Sequence, residues 1–122
     1  MKLAIVGSRT ITNYESFKRL LFDLAISHNL FDIEIITGGA KGVDSMAERF
    51  AIENEIPYKI FYPNWDRYGK KAGFLRNKEI VDYCDKLIAI WDGKSKGTKH
   101  SIDLAIKQNK LTLVVRKDLN GT

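Results

Sequence analysis

The chain has 122 residues, 44% of them hydrophobic and 11% aromatic, with 20 Lys and Arg against 15 Asp and Glu and a single cysteine. This composition excludes intrinsic disorder and sustains one core without metal or disulfide staples, because Cys84 has no partner within the chain. Apolar runs stop well short of the roughly 18 residues of a membrane span, and the apolar start is broken at Gly7, too soon for a signal peptide. The expectation is therefore a cytoplasmic protein in a reducing compartment, with no membrane partner and a buried Cys84 thiol.

In chain order, short β-rich runs alternate with helical patterns. Leu3 to Val6 is the first run, apolar throughout, as a strand covered on both faces must be. Phe17, Leu20, Leu21, Leu24 and Ala25 then follow helical spacing, Ile33 to Ile36 reads as the second strand, and Val43, Met46, Ala47, Phe50 and Ala51 repeat the helical spacing. A third strand is predicted over 58–62, a helix over about 72–83, a fourth strand over 86–91, and a helix over about 98–108 with Ile102, Ala105 and Ile106 inward. The last strand spans 111–115. Five strands alternating with four helices imply right-handed crossovers and one parallel sheet. We expect an α/β fold, a Rossmann-like three-layer sandwich with strand order 3-2-1-4-5, formed by residues 1–117 as one domain, with a frayed tail at 118–122.

Charge is unevenly placed. Residues 1–66 carry 7 basic and 9 acidic side chains, residues 67–99 carry 9 and 4, and residues 100–122 carry 4 and 2. The basic middle segment permits nucleic-acid binding without requiring it.

Eight of the nine glycines fall near strand-to-helix turns: Gly7; Gly38, Gly39 and Gly42; Gly69 and Gly73; Gly93 and Gly97. In a parallel sheet these turns share the carboxyl edge, and the switch point between the first and fourth strands puts 7–10 beside 93–98. Glycine lets backbone N–H groups approach an anion, and helix N-termini add positive charge, so a phosphate-bearing ligand suits this rim. Tight turns alone are the competing explanation for any single loop. The dinucleotide fingerprint is absent, since Gly7-Ser8-Arg9-Thr10-Ile11-Thr12 lacks its second and third glycines. A P-loop is absent too, because Ile88 stands where its first glycine belongs.

Ser45 and Glu48 match a capping box, and Asp44 suits either a helix start or the hydroxyls of a ribose. Asn77 falls on the inward stripe of its helix beside Arg76, where its amide is met by backbone or by a ligand. Trp65 and Trp91, at strand ends, read as base-stacking surfaces or as core. His28 and His100 stand apart, so no metal, no other cofactor and no Ser-His-acid or Cys-His nucleophile is expected.

Taken together, Gly7-Ser8-Arg9, Thr37-Gly38-Gly39-Ala40-Lys41-Gly42-Val43-Asp44 with Ala47-Glu48, residues 63–73, Arg76-Asn77 and residues 89–98 resemble the YspA-like family of the SLOG superfamily, which includes DNA-processing DprA/Smf proteins and LOG-type phosphoribohydrolases. The resemblance spans residues 3–115. It implies a Rossmann-like fold that binds a nucleotide or an ADP-ribose-like molecule, for sensing or sequestering it, in some members within bacterial conflict systems. Carried over by motif, the ligand contacts are Gly7, Ser8, Arg9, Gly38, Gly39, Ala40, Lys41, Gly42, Asp44, Arg76, Asn77, Gly93, Ser95, Gly97 and Thr98, with Trp65 or Trp91 over the base. The hydrolases resembled here carry P-G-G-x-G-T-x-x-E with a catalytic Glu, and this chain has Ser101 at that place. Binding is thus favoured over nucleotide N-glycosidase activity, for which Asp44 or Glu48 would have to substitute. DprA-like single-stranded nucleic-acid binding is the third reading. The resemblance also implies a homo-oligomer; Phe22, Phe31 and Tyr83 read as interface residues or as core. Arg76→Ala should weaken ligand binding by more than about 1.5 kcal/mol while leaving Tm nearly unchanged.

Overall fold

A computed structural model describes residues 1–116; the tail expected at 118–122 lies outside the described residues. Five strands, β1 (Lys2–Gly7), β2 (Glu34–Thr37), β3 (Tyr58–Ile60), β4 (Lys86–Trp91) and β5 (Leu111–Arg116), form one sheet in the order β3-β2-β1-β4-β5. Every pairing is parallel. The predicted fold and strand order are those observed.

Period-two alternation explains why the strands are apolar on both faces. Leu3, Ile5, Ile35, Ile88 and Ile90 point to one side, where they meet Phe17, Leu21 and Leu24 of α1 (Tyr14–Ser27) and Met46, Phe50 and Ala51 of α2 (Val43–Glu53). Ala4, Val6, Ile36, Leu87 and Ala89 point to the other, against Ile80 and Val81 of α4 (Ala72–Tyr83) and Ile102 and Ala105 of α5 (Lys96–Lys107). Cys84 belongs to this second core and is buried.

Several local expectations change. β3 ends at Ile60 because its only partner ends at Thr37; Phe61 N–H still donates to Thr37 O, but the ladder has no further rung. A short helix α3 (Trp65–Tyr68), capped by the Asn64 side chain accepting from Arg67 N–H at 3.1 Å, and a 3-10 turn (Gly69–Lys71) precede α4. α5 begins earlier than predicted, because Ser95 caps it and accepts from Thr98 N–H. Its inward stripe is Thr98, Ser101, Ile102 and Ala105, which leaves Ile106 exposed rather than inward. The capping box at Ser45 does not form. The helix starts at Val43 with Gly42 as N-cap, so Ser45 sits inside the first turn and its hydroxyl donates to Gly42 O. Phe22 and Phe31 are exposed, whereas Tyr83 packs edge-on against Phe61. No helix among the described residues is long and apolar enough to cross a membrane.

Candidate functional site

At the carboxyl edge, between β1 and β4, the loops leading into α1 and α5 enclose a crevice of about 480 Å³. This is the switch point of the sheet. A crevice of this size suits a small ligand. Gly7, Arg9 and Thr10 line one wall, Lys94, Ser95, Gly97, Thr98 and Ser101 line the other, and Ala40, Asp44, Arg76 and Asn77 complete it.

A side-chain latch fixes the two walls. Thr10 donates its hydroxyl to Asp92 Oδ2 at 2.7 Å, Lys94 and Ser95 N–H groups both donate to Asp92 Oδ1 at 2.8 Å, and Asp92 N–H donates to Ser8 Oγ at 3.0 Å. Burial acts to raise the Asp92 carboxyl, but hydrogen bonds from Ser95, Lys94 and Thr10 outweigh it and hold the group at about 2. Thr10 and Asp92 were not among the expected contacts. Asp-Gly-Lys-Ser after a strand carries the signature of a turn in which the Asp side chain accepts N–H groups two and three residues on.

The glycines of the loop after β2 are closely approached by other parts of the chain. A Cβ on Gly42, whose φ is +77°, would come within 2.6 Å of Arg9 Cα, so this glycine exists for close backbone approach to the β1 loop. Gly38 faces Arg76 and Asp44, Gly39 lies under the Tyr62 ring, and Gly93 lies under the Arg116 guanidinium. Among the expected contacts, Gly7, Arg9, Ala40, Asp44, Arg76, Asn77, Ser95, Gly97 and Thr98 line the crevice, whereas Ser8, Gly38, Gly39, Lys41, Gly42, Trp65, Trp91 and Gly93 do not. Ser8 supports it through Asp92. The Trp91 indole N–H donates to Ser95 O, and the Trp65 ring lies over Gly73 with half its surface exposed. Glu48 is one turn along α2 from Asp44 and also outside the lining.

The floor holds two buried charges. Arg76 is 8% exposed, donating from Nη1 to Gly38 O and from Nε to Asn77 Oδ1 at 3.0 Å. Asn77 in turn donates to Gly97 O at 3.2 Å, so its amide joins α4 to α5 as the backbone-satisfied reading anticipated. Asp44 is 5% exposed; its Oδ2 accepts from Ala40 N–H at 3.3 Å, and its Oδ1 is buried without any hydrogen bond. The Thr37 hydroxyl lies nearby but donates to Ile5 O at 2.7 Å.

Burial pushes the Asp44 carboxyl up from 3.8 to about 6, against the opposing pull of the Arg76 guanidinium. The folded chain therefore holds this proton more tightly than the unfolded chain between those values, and stability must fall as pH rises through 6. Melting temperatures measured from pH 4 to 7.5 should carry this downward contribution, and Asp44→Asn should remove it. An unchanged pH profile in the variant would show that Asp44 keeps its proton equilibrium on folding.

Comparison with known proteins identifies the fold and the family. Two DNA processing proteins A have the same architecture. The Helicobacter pylori protein, described for a single-stranded DNA binding mode, superposes with a TM-score of 0.70 at 24% identity, covering 98% of this chain and 69% of that one. The Streptococcus pneumoniae protein gives a TM-score of 0.76 at 20% identity, and this chain, covered to 98%, spans about half of its length, 52%. At such identities the likeness is one of fold. The Gene 61 protein of Mycobacterium phage D29 is 31% identical over 112 residues, 87% of this chain and 89% of that protein. Residues 1–68 match the model of YAcAr, the YspA, cpYpsA-related SLOG family, and the chain belongs to that family.

Proposed function

We propose that the crevice binds a nucleotide-derived small molecule, ADP-ribose-like in chemistry, and that the protein senses or sequesters it. The carrying observation is convergence: Arg9, Arg76, Lys94 and the N-terminal turn of α5 all line one latched crevice. Backbone N–H groups and fixed cations there suit phosphate oxygens. Binding without cleavage is supported by Ser101, buried on the α5 wall with its hydroxyl directed to Gly97 O, which puts no ionisable group where the resembled hydrolases carry their Glu. A phage-encoded relative is consistent with a role in bacterial or phage conflict, and the buried Cys84 thiol with a reducing cytoplasm.

Incubation with nucleoside monophosphates and ADP-ribose, followed by chromatography, tests this. Stoichiometric retention of intact ligand is the expected result; release of free base would instead establish N-glycosidic hydrolysis, and no retention of any compound would refute the reading.

A second reading, single-stranded nucleic-acid binding, draws on a different surface. Trp65, Tyr68 and Phe74 are exposed on α3 and α4 among Arg67, Lys70 and Lys71, an arrangement of stacking rings and cations. Its signature is an affinity for single strands that falls steeply with salt.

We assign self-association to the face of α1 and α2, where exposed Phe22 and Phe31 border an apolar groove of about 370 Å³. Knob and hole on one face suit a two-fold contact with a second copy. Sedimentation should show a dimer that Phe31→Asp dissociates; a monomeric wild type would remove this assignment.

A further inference from the structure

The β2–α2 side of the crevice presents a carboxylate, and this limits what sits there. Asp44 is nineteen-twentieths buried, and its Oδ1 accepts no hydrogen bond. An unpaired buried acceptor is costly and points to a donor supplied from elsewhere. Ala40 N–H goes to Oδ2 and the Thr37 hydroxyl to Ile5 O, and neither Gly7 N–H, which pulls on the carboxyl, nor Arg76, whose Nη1 and Nε serve Gly38 O and Asn77 Oδ1, hydrogen-bonds Oδ1. A phosphate cannot meet this oxygen, because two anions would adjoin in a low-dielectric site. A neutral hydroxyl group can.

The opposite wall makes the contrary demand. Ser95, Gly97 and Thr98 at the start of α5, with Lys94, favour an anion. One compact molecule that satisfies both walls carries a phosphate and free hydroxyls on the same small ring.

Resting on the nucleotide-derived reading above, we propose that Asp44 is a specificity residue that accepts a ribose hydroxyl, so that the crevice selects ribonucleotides over deoxyribonucleotides. A site built to hydrogen-bond a hydroxyl rejects the analogue without it, because its own polar group is then left unpaired.

The test is calorimetric titration of the full chain at pH 7.5 with AMP, 2′-deoxy-AMP, 3′-deoxy-AMP and 2′,3′-dideoxy-AMP. The dideoxy compound should bind at least about tenfold more weakly than AMP, with 2′-deoxy-AMP sharing the loss. In Asp44→Asn, which keeps the side-chain volume, the ratio of AMP to dideoxy affinity should shrink to within about threefold. The wild-type series stands alone should the variant fail to fold. If AMP binds and all four affinities agree within twofold, Oδ1 is met by water and the inference is overturned, while the nucleotide reading survives. If AMP does not bind, the inference fails, and ADP-ribose retention decides the broader reading separately.

Discussion

Replacing Arg76 with alanine should lower stability by roughly 3 kcal/mol, equivalent to about 10 °C in Tm for a domain of this size. The guanidinium is 8% exposed and makes three connections at once: it donates to Gly38 O, holds Asn77 Oδ1, and neighbours the Asp44 carboxylate where both lie against Gly38. Its loss leaves a buried carboxylate without its neighbouring cation and two acceptors without donors, and each is a recognised source of large destabilisation. The sequence-based expectation that Arg76→Ala leaves Tm nearly unchanged is therefore reversed. Thermal denaturation at pH 7.5 checks this. The double variant Asp44→Asn/Arg76→Ala should recover part of the loss, because the unbalanced charge is gone. A single Arg76→Ala variant melting with wild type would show that the guanidinium serves only ligand.

Gly7→Ala should be at least as damaging, about 3 kcal/mol or more. Gly7 ends β1 and pairs with Ile90 of β4, directly under the first turn of α2. An added methyl would overlap Ile90 O and approach Val43 Cβ and Cγ2 at 2.7 Å. Ile90 O is backbone of a central strand, and Val43 Cβ is fixed directly to the start of α2, so neither yields as the far end of a flexible side chain does. Because Gly7 also lines the crevice, any folded fraction should lose ligand binding as well. Denaturant titration combined with ADP-ribose binding measures both effects; wild-type values in either would mean that β1 and β4 have room to part.

These two residues mark how far the sequence was legible. Doubly apolar runs, helical spacing and regular alternation specified the sheet order, because covered parallel strands leave few other solutions. Gly7 was readable for the same reason: a glycine ending the first strand of such a sheet sits at the rim. Arg76 was readable as a residue of the site but not as a buried one, since nothing in its local spacing shows that its head reaches Gly38, thirty-eight residues away. The latch between Thr10 and Asp92 spans eighty-two positions and exists only through the strand order. Arg116 lies over Gly93 because β5 pairs with β4 to its end, with a register shift between Leu87 and Ile88 along the way. The Ser-x-x-Glu pattern at Ser45 does not cap because Gly42, with its positive φ, starts the helix earlier than that pattern suggests.

The glycines illustrate a wider point. A glycine-rich loop beside a helix start reads in sequence as an anion cradle, and the β4–α5 loop fits that reading through Ser95, Gly97 and Thr98. The β2–α2 loop is glycine-rich too, yet its glycines admit Arg76, Asp44, Tyr62 and the β1 loop at close range. Composition reports that something approaches the backbone closely; only the fold says what.

The decisive experiment is amide chemical-shift mapping with ADP-ribose on uniformly labelled protein. Saturable shifts are expected at Gly7, Arg9, Ala40, Ser95, Gly97 and Thr98, the residues around the switch point between β1 and β4. Shifts confined to residues 62–74, or none at all at ligand excess, would contradict binding there.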